Sequence, residues 1–279
     1  MKYSVILINH SKPKTSLYGA YSWMLQNYPG EYEVIILYCK DYTEYYHKFA
    51  QDTSLGCNVR LYPMDEPKYF HLGAFRNLGA YYARSDRLIF ASIDIVRKSN
   101  FLKLVDRQLE DNCLTTAGSF HVDKCRKYFS KIWRYNNRDF KFDEPVNLAY
   151  KNFNKELTLT FGTMFVKKDD FIEIGGYDMN MLFQEDAHID RKFDFYYREK
   201  GAEHPIIRLE DAKRYGGIKC KGIRDKDMAT HGMIVDTKFK TIARNYIKKE
   251  ITGDFTPLNM NLDYLKSQVY RKWTSKGVK

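Results

Sequence analysis

The residue types that could do chemistry gather in a few places along the chain. Asp94 closes the segment Arg87-Leu88-Ile89-Phe90-Ala91-Ser92-Ile93-Asp94, a lone carboxylate after an apolar run of strand length. In an open α/β sheet the carboxyl end of a buried strand faces a crevice, and nearby helix amides can hold anions, so ligands collect there. The plainer alternative is a strand-end carboxylate capping the next helix. Glu185 and Asp186 form an acidic pair just before Ile189, Phe193 and Tyr196/Tyr197, which recur at helical spacing. The pair therefore sits in a first helical turn, where the helix dipole favours negative charge. From His121 to Phe142 the cations Lys124, Arg126, Lys127, Lys131, Arg134, Arg138 and Lys141 interleave with aromatic rings such as Tyr128, Trp133 and Phe140. Cations that track phosphate beside rings that stack bases or sugars would use this alternation. A partly buried helix with a solvated basic face would too, and the pattern leaves both open. His231, in Ala229-Thr230-His231-Gly232, is a loop histidine with His204 as a competitor.

The hydrophobic pattern supplies a scaffold for these groups. Ser4–Ile8 and Glu33–Tyr38 are continuous apolar strands, with a helix predicted over 16–28 between them and a stop at Pro29-Gly30. Strands buried on both faces around a helix open a parallel sheet. A helix over 41–50, a short strand over 59–62, a helix over 71–82 and the strand over 87–91 follow. Ser99-Asn100 should cap an amphipathic helix over 100–110. Further on, 114–117 and 157–166 read as strands, and a short helix over 168–174 is halted by Gly175-Gly176. After the helix from Glu185 to Lys200, Ile206–Leu209 reads as an edge strand and 215–232 as loop. Residues 238–273 read as helical and basic, interrupted by Gly253 and Pro257. No Pro/Gly/Ser-rich linker or internal repeat divides the chain.

With 279 residues and 44% hydrophobic composition, a sizeable core is available. The net charge of +11 favours polyanionic company: nucleotide phosphates, nucleic acid or an anionic membrane face. Five cysteines without C-x-x-C or zinc-like spacing fit free buried thiols in a reducing compartment. The first strand begins too early for a signal peptide, and no apolar run has membrane-span length. These features together predict a cytoplasmic protein, with peripheral membrane attachment or action on DNA left open.

Leu72-Gly73-Ala74-Phe75-Arg76-Asn77-Leu78-Gly79, the strand ending at Asp94, Gly175-Gly176-Tyr177-Asp178 and Glu185-Asp186 with Arg191 occur in a fixed order. In that order they resemble the nucleotide-sugar glycosyltransferases of the GT-A fold, particularly the inverting family 2 and its galactosyltransferase-like relatives, over roughly residues 3 to 200. The resemblance implies an α/β, Rossmann-like, mostly parallel central sheet flanked by helices, with a basic helical C-terminal extension. It implies a transferase domain over 1–235, with 1–100 binding the nucleotide sugar and 101–235 carrying the acceptor side and the 121–142 insertion, then the extension over 236–279. Asp94 matches the last Asp of the family's Asp-x-Asp element, which holds Mn²⁺ or Mg²⁺ on the donor diphosphate, and Ser92 stands where the first Asp usually is. His231 is placed like a third metal ligand. Asp186 matches the catalytic base, Glu185 would orient the acceptor, Arg191 would pair with a carboxylate or phosphate, and His188 replaces a usual acid. Further donor contacts are implied at Ile8, Asn9, Tyr38, Asp41, Arg76, Asn77 and Ile93, Tyr38 stacking on the base or Asp41 reading it. The implied activity is inverting transfer of a sugar, from a UDP-sugar first of all. The acceptor would be a surface glycan or lipopolysaccharide unit, or a hydroxylated base of phage-type DNA. A non-catalytic nucleic-acid-binding protein on a degenerate transferase scaffold is the alternative.

Overall fold

A computed structural model describes residues 1–9, 13–40, 43–44, 46–47, 55–64, 72–122, 162–178, 185–220, 273–274 and 277–278. Asp41, His231, residues 123–142 of the basic-aromatic stretch and 221–272 lie outside these.

The first half alternates strand and helix: β1 (Tyr3–Asn9), α1 (Pro13–Met24), β2 (Tyr32–Cys39), β3 (Asn58–Met64), α2 (Leu72–Tyr82) and β4 (Arg87–Ser92). Helix α1 begins three residues before the sequence pattern suggests, on Pro13, whose fixed φ and missing N–H suit a first helical position. After β4 come β5 (Ile95–Val96), α3 (Phe101–Asp106), β6 (Leu114–Ala117) and β7 (Ser119–Val122). Helix α3 is shorter than predicted, and Asn100 stands at its N-cap without a side-chain capping bond. The remaining elements are β8 (Thr163–Lys167), α4 (Lys168–Glu173), α5 (Glu185–Glu199), β9 (Ile206–Leu209), α6 (Ala212–Tyr215), β10 (Gly217–Cys220), β11 (Trp273–Thr274) and β12 (Gly277–Val278).

The main sheet has the order β12-β11-β3-β2-β1-β4-β8-β6-β9. Strands β1 to β4 are mutually parallel, β8 runs against both β4 and β6, and β9 lies parallel to β6 at the edge. Strand order reverses at β1, with β2 on one side and β4 on the other, which opens a crevice at their carboxyl ends. Of the predicted basic helical extension, the described residues are extended: Trp273 pairs with Leu61 of β3.

Alternation along the buried strands feeds two cores. Val5, Leu7, Val34, Ile36, Ile89 and Ala91 pack with Leu17, Trp23 and Met24 of α1 and Phe101 and Val105 of α3. Ile6, Ile8, Ile35, Leu37, Leu88 and Phe90 pack with Phe75 and Leu78 of α2, Phe171 of α4 and Ile189 and Phe193 of α5. Each such side chain contributes about 1.5–3 kcal/mol on burial, so both faces hold their helices firmly. The close approach of α2 needs Gly79, because a Cβ there would run into Ile6 Cγ2 and lie 3.3 Å from Leu37 Cδ1.

A second, small sheet joins β5, β10 and β7. Here the predicted loop over 215–232 is corrected: Gly217–Cys220 is a strand, antiparallel to β5 and parallel to β7. The glycine that suggests a loop is there for space, since a Cβ on Gly217 would stand 2.9 Å from Arg97 Nη1.

Candidate functional site

Asp94 lies in the turn between β4 and β5 and is 7% exposed. Helix α1 presses on this turn through Gly19, where a Cβ would collide with the Ile93 carbonyl oxygen. Below it, Arg97 is wholly buried; its guanidinium donates to the carbonyls of Gly118 and Tyr215, both at 2.9 Å, and of Ala117, and to Thr163 Oγ1. The β6–β7 turn, β8 and the end of α6 thereby converge on Arg97. Ser92 ends β4 opposite Ile8 of β1, its N–H bonded to the Gly162 carbonyl at 3.0 Å.

Asn9 ends β1 level with Tyr38 of β2, so both reach the same crevice edge. Tyr38 is 1% exposed, and its ring lies 4.6 Å from that of Tyr46. Tyr46 thus packs against the Tyr38 ring at a tilt of 36°. Asn9 Nδ2 donates to the Tyr46 hydroxyl, and Ser16 Oγ donates to Asn9 Oδ1 at 3.2 Å. Tyr46 had no motif to announce it.

The acidic pair is reached from α2. Arg76, 5% exposed, donates through Nη1 to Asp186 Oδ1 and to the Tyr177 hydroxyl at 3.2 Å, with its guanidinium carbon 5.0 Å from the Tyr177 ring centroid. Next to it, Asn77 Nδ2 donates to the Tyr177 carbonyl at 2.8 Å while the Tyr177 N–H donates to Asn77 Oδ1 at 2.9 Å. Tyr177 is delivered by Gly175 and Gly176, whose φ of 77° and 57° close α4 with bonds to the Ile172 and Phe171 carbonyls. Arg76 and Asn77, expected at the diphosphate or nucleobase, are thus engaged with Tyr177 and Asp186. The cation on Asp186 is Arg76; Arg191 is exposed and forms no ion pair with a described residue.

Burial raises the Glu185 carboxyl above its usual range, Asp186 adds to the rise, and Arg76 opposes it. Burial pulls the Arg76 guanidinium down, but Asp186, Tyr177 and Glu185 outweigh it and leave the group more basic than usual. One turn further on, burial also raises Asp190, against the pull of Arg208 at 2.9 Å. His188 is 3% exposed within the same helix.

Helix α2 runs from the carboxyl edge, after β3, back to the start of β4, and Arg76 in its first half bonds Asp186. Asp94 stands past the carboxyl end of β4, level with the carboxyl end of β1. His204 does not belong there: it precedes β9, whose first residue Ile206 pairs with the first residue of β6 at the opposite end. Among the described residues no three His, Cys, Asp or Glu side chains gather as a metal site. Near Asp94 the available donors are a carboxylate and the Ser92 hydroxyl, hard oxygens of the kind Mn²⁺ or Mg²⁺ prefers.

No family model and no curated protein matches the chain by sequence. Its architecture matches solved structures. The mannosyltransferase PcManGT from Pyrobaculum calidifontis, in complex with GDP-Man and Mn²⁺, aligns over 95% of this chain and 69% of its own at a TM-score of 0.57 and 12% identity. S. aureus TarS 1-349 in complex with UDP-GlcNAc aligns over 95% and 69% at 0.54 and 17% identity. The chain has the GT-A fold. It spans 60% of TarS 1-349 in the UDP complex, at a TM-score of 0.50, and 44% of a longer TarS structure, at 0.51. No helix among the described residues is long and apolar enough to cross a membrane.

Proposed function

We propose that the chain is a metal-assisted, inverting glycosyltransferase that moves a sugar from a nucleotide-diphosphate donor to an acceptor hydroxyl. What supports this reading is a GT-A sheet whose strand order reverses at β1, with Asp94 in the turn after β4 and Asp186 bonded to Arg76 of α2, the helix that leaves the carboxyl end of β3. UDP-GlcNAc and GDP-Man in the solved structures of like fold support a nucleotide sugar, and Mn²⁺ with PcManGT supports a dication.

Asp94, helped by Ser92 and by His231, would hold Mn²⁺ or Mg²⁺, which would neutralise the charge growing on the departing diphosphate. Ile8, Asn9 and Ile93 line the donor edge, with Asp41 and Arg191 as further donor contacts. Asp186 accepts the proton of the acceptor hydroxyl as its oxygen attacks the anomeric carbon from the side opposite the diphosphate. A single displacement by one base inverts the configuration. Glu185, whose raised pKa lets it share a proton more readily than an ordinary carboxylate, orients the acceptor. The basic stretch over 121–142 supports a polyanionic acceptor, an anionic surface glycan ahead of a hydroxylated DNA base.

Release of nucleoside diphosphate from UDP-GlcNAc and GDP-mannose, with Mn²⁺ and with EDTA, tests the reading. Metal-dependent release that falls about 10²–10⁴-fold in Asp186→Asn is expected for loss of a general base. Absence of release, together with tight duplex DNA retention, would favour the non-catalytic DNA-binding alternative that the +11 charge supports.

A further inference from the structure

Arg76 is a buried cation, and its seat does not depend on the acid it pairs with. Its side chain is 6% exposed, whereas that of Asp186 is 32% exposed. The guanidinium rests on the Tyr177 ring and bonds its hydroxyl, while Asn77 pins the Tyr177 backbone through both its N–H and its carbonyl. Helix α2, the Gly175-Gly176 turn and the first turn of α5 are therefore joined at one point. An arginine held in this way is a fixed reference for a more exposed carboxylate, and a charge-assisted hydrogen bond is directional as well as strong. Asp186 takes this bond on Oδ1; Oδ2 forms no hydrogen bond or ion pair with a described residue.

We infer that Arg76 is a positioning residue: it holds Asp186 by Oδ1 so that Oδ2 is the atom presented to the acceptor hydroxyl. The inference rests on the reading of Asp186 as the base. In the step it serves, the acceptor O–H proton passes to Oδ2 and the acceptor oxygen bonds the anomeric carbon. The bond from that carbon to the diphosphate oxygen breaks, and its electron pair leaves with the diphosphate. Arg76 touches none of the reacting atoms. Its contribution is orientation, where a misplacement of about 1 Å can cost about 10²-fold in rate.

The rival role for Arg76 is direct contact with the donor phosphates, and the two roles separate in a mutant cycle. The assay is Mn²⁺-dependent nucleoside diphosphate release from UDP-GlcNAc and GDP-mannose by the full chain, with UDP and GDP affinities measured alongside by calorimetry. In Arg76→Gln, turnover should fall about 10²-fold while nucleotide affinity stays at the wild-type level. The double variant Arg76→Gln/Asp186→Asn should be no slower than Asp186→Asn alone, since residues acting as a unit are not additive. Tyr177→Phe keeps the ring and removes the hydroxyl bond; a smaller loss that also vanishes in the Asp186→Asn background is expected, and it decides the matter if Arg76→Gln does not fold. Weakened nucleotide binding with additive losses, or wild-type turnover in either variant, would overturn the assignment. Wild-type turnover in Asp186→Asn would remove the base reading itself, and a wild type that turns over neither donor would end both.

Discussion

Asp94 and Glu185 make the most direct predictions from single side chains. Asp94→Ala should keep the fold, because the turn is held by Gly19 packing and by Arg97, while losing the Mn²⁺-dependent part of nucleotide binding in a calorimetric titration. For Glu185 the sign of the pH effect is fixed by its raised pKa. A carboxyl that binds its proton more tightly folded than unfolded stabilises the native state at low pH. That stability is lost as pH rises from the unfolded value of about 4.3 through the raised folded one. Glu185→Gln should therefore melt higher than wild type at pH 7 and converge with it below about pH 4, as followed by thermal denaturation across pH. A lower melting point at neutral pH would contradict this. At this scale the sequence showed the chemistry better than the partners. Asp94, Glu185 and Asp186 stand out as lone or paired carboxylates at element ends. That Arg76 would turn to Asp186 was not legible, because the two are 110 positions apart and only the tertiary fold sets them together.

The helices and strands were largely readable where hydrophobic period was strong and misread where small residues carried the packing. Strands β1, β2 and β4 are apolar on both faces and could be little else, whereas β5 is only Ile95–Val96 and β10 opens on glycine. Gly79 tests the same point from the other side. Gly79→Ala improves helix propensity by about 1 kcal/mol, yet it drives a methyl into Ile6 and should destabilise overall by about 1–3 kcal/mol, measured by urea unfolding. It should also lower turnover, since α2 carries Arg76; a stabilised, fully active variant would contradict this packing. At the opposite end of the sheet, Glu33 accepts from Arg60 at 2.9 Å, Ser4 Oγ at 2.6 Å and the Arg84 N–H at 2.8 Å, with both ion-pair side chains essentially buried. Glu33→Ala leaves a buried cation without its acid and should cost about 3–5 kcal/mol by the same unfolding measurement, with nucleotide affinity unchanged in the folded fraction because the network lies away from the crevice.

For the molecule as a whole, the mixed sheet crosses the boundary between the two expected halves. Strands β8, β6 and β9 extend the sheet begun by β1 to β4, and β5 ties the Asp94 turn to β10 and β7. Strand β10, paired with β5, leads toward His231, and β7, on the far side of β10, leads into the basic-aromatic stretch. Net charge bears on the acceptor rather than the fold. If duplex DNA is the acceptor, retention should weaken steeply with salt, the logarithmic slope approaching about −0.9 per phosphate neutralised; a shallow slope would point to the glycan. The central claim, a donor diphosphate gripped through a cation at Asp94, is tested most directly by thermal denaturation with a panel of nucleotide sugars, each with and without Mn²⁺. The account predicts that at least one nucleotide sugar raises the melting temperature further when Mn²⁺ is present and that Asp94→Ala removes that increment. A metal-dependent increment that survives intact in Asp94→Ala, or no stabilisation by any nucleotide sugar, would contradict it.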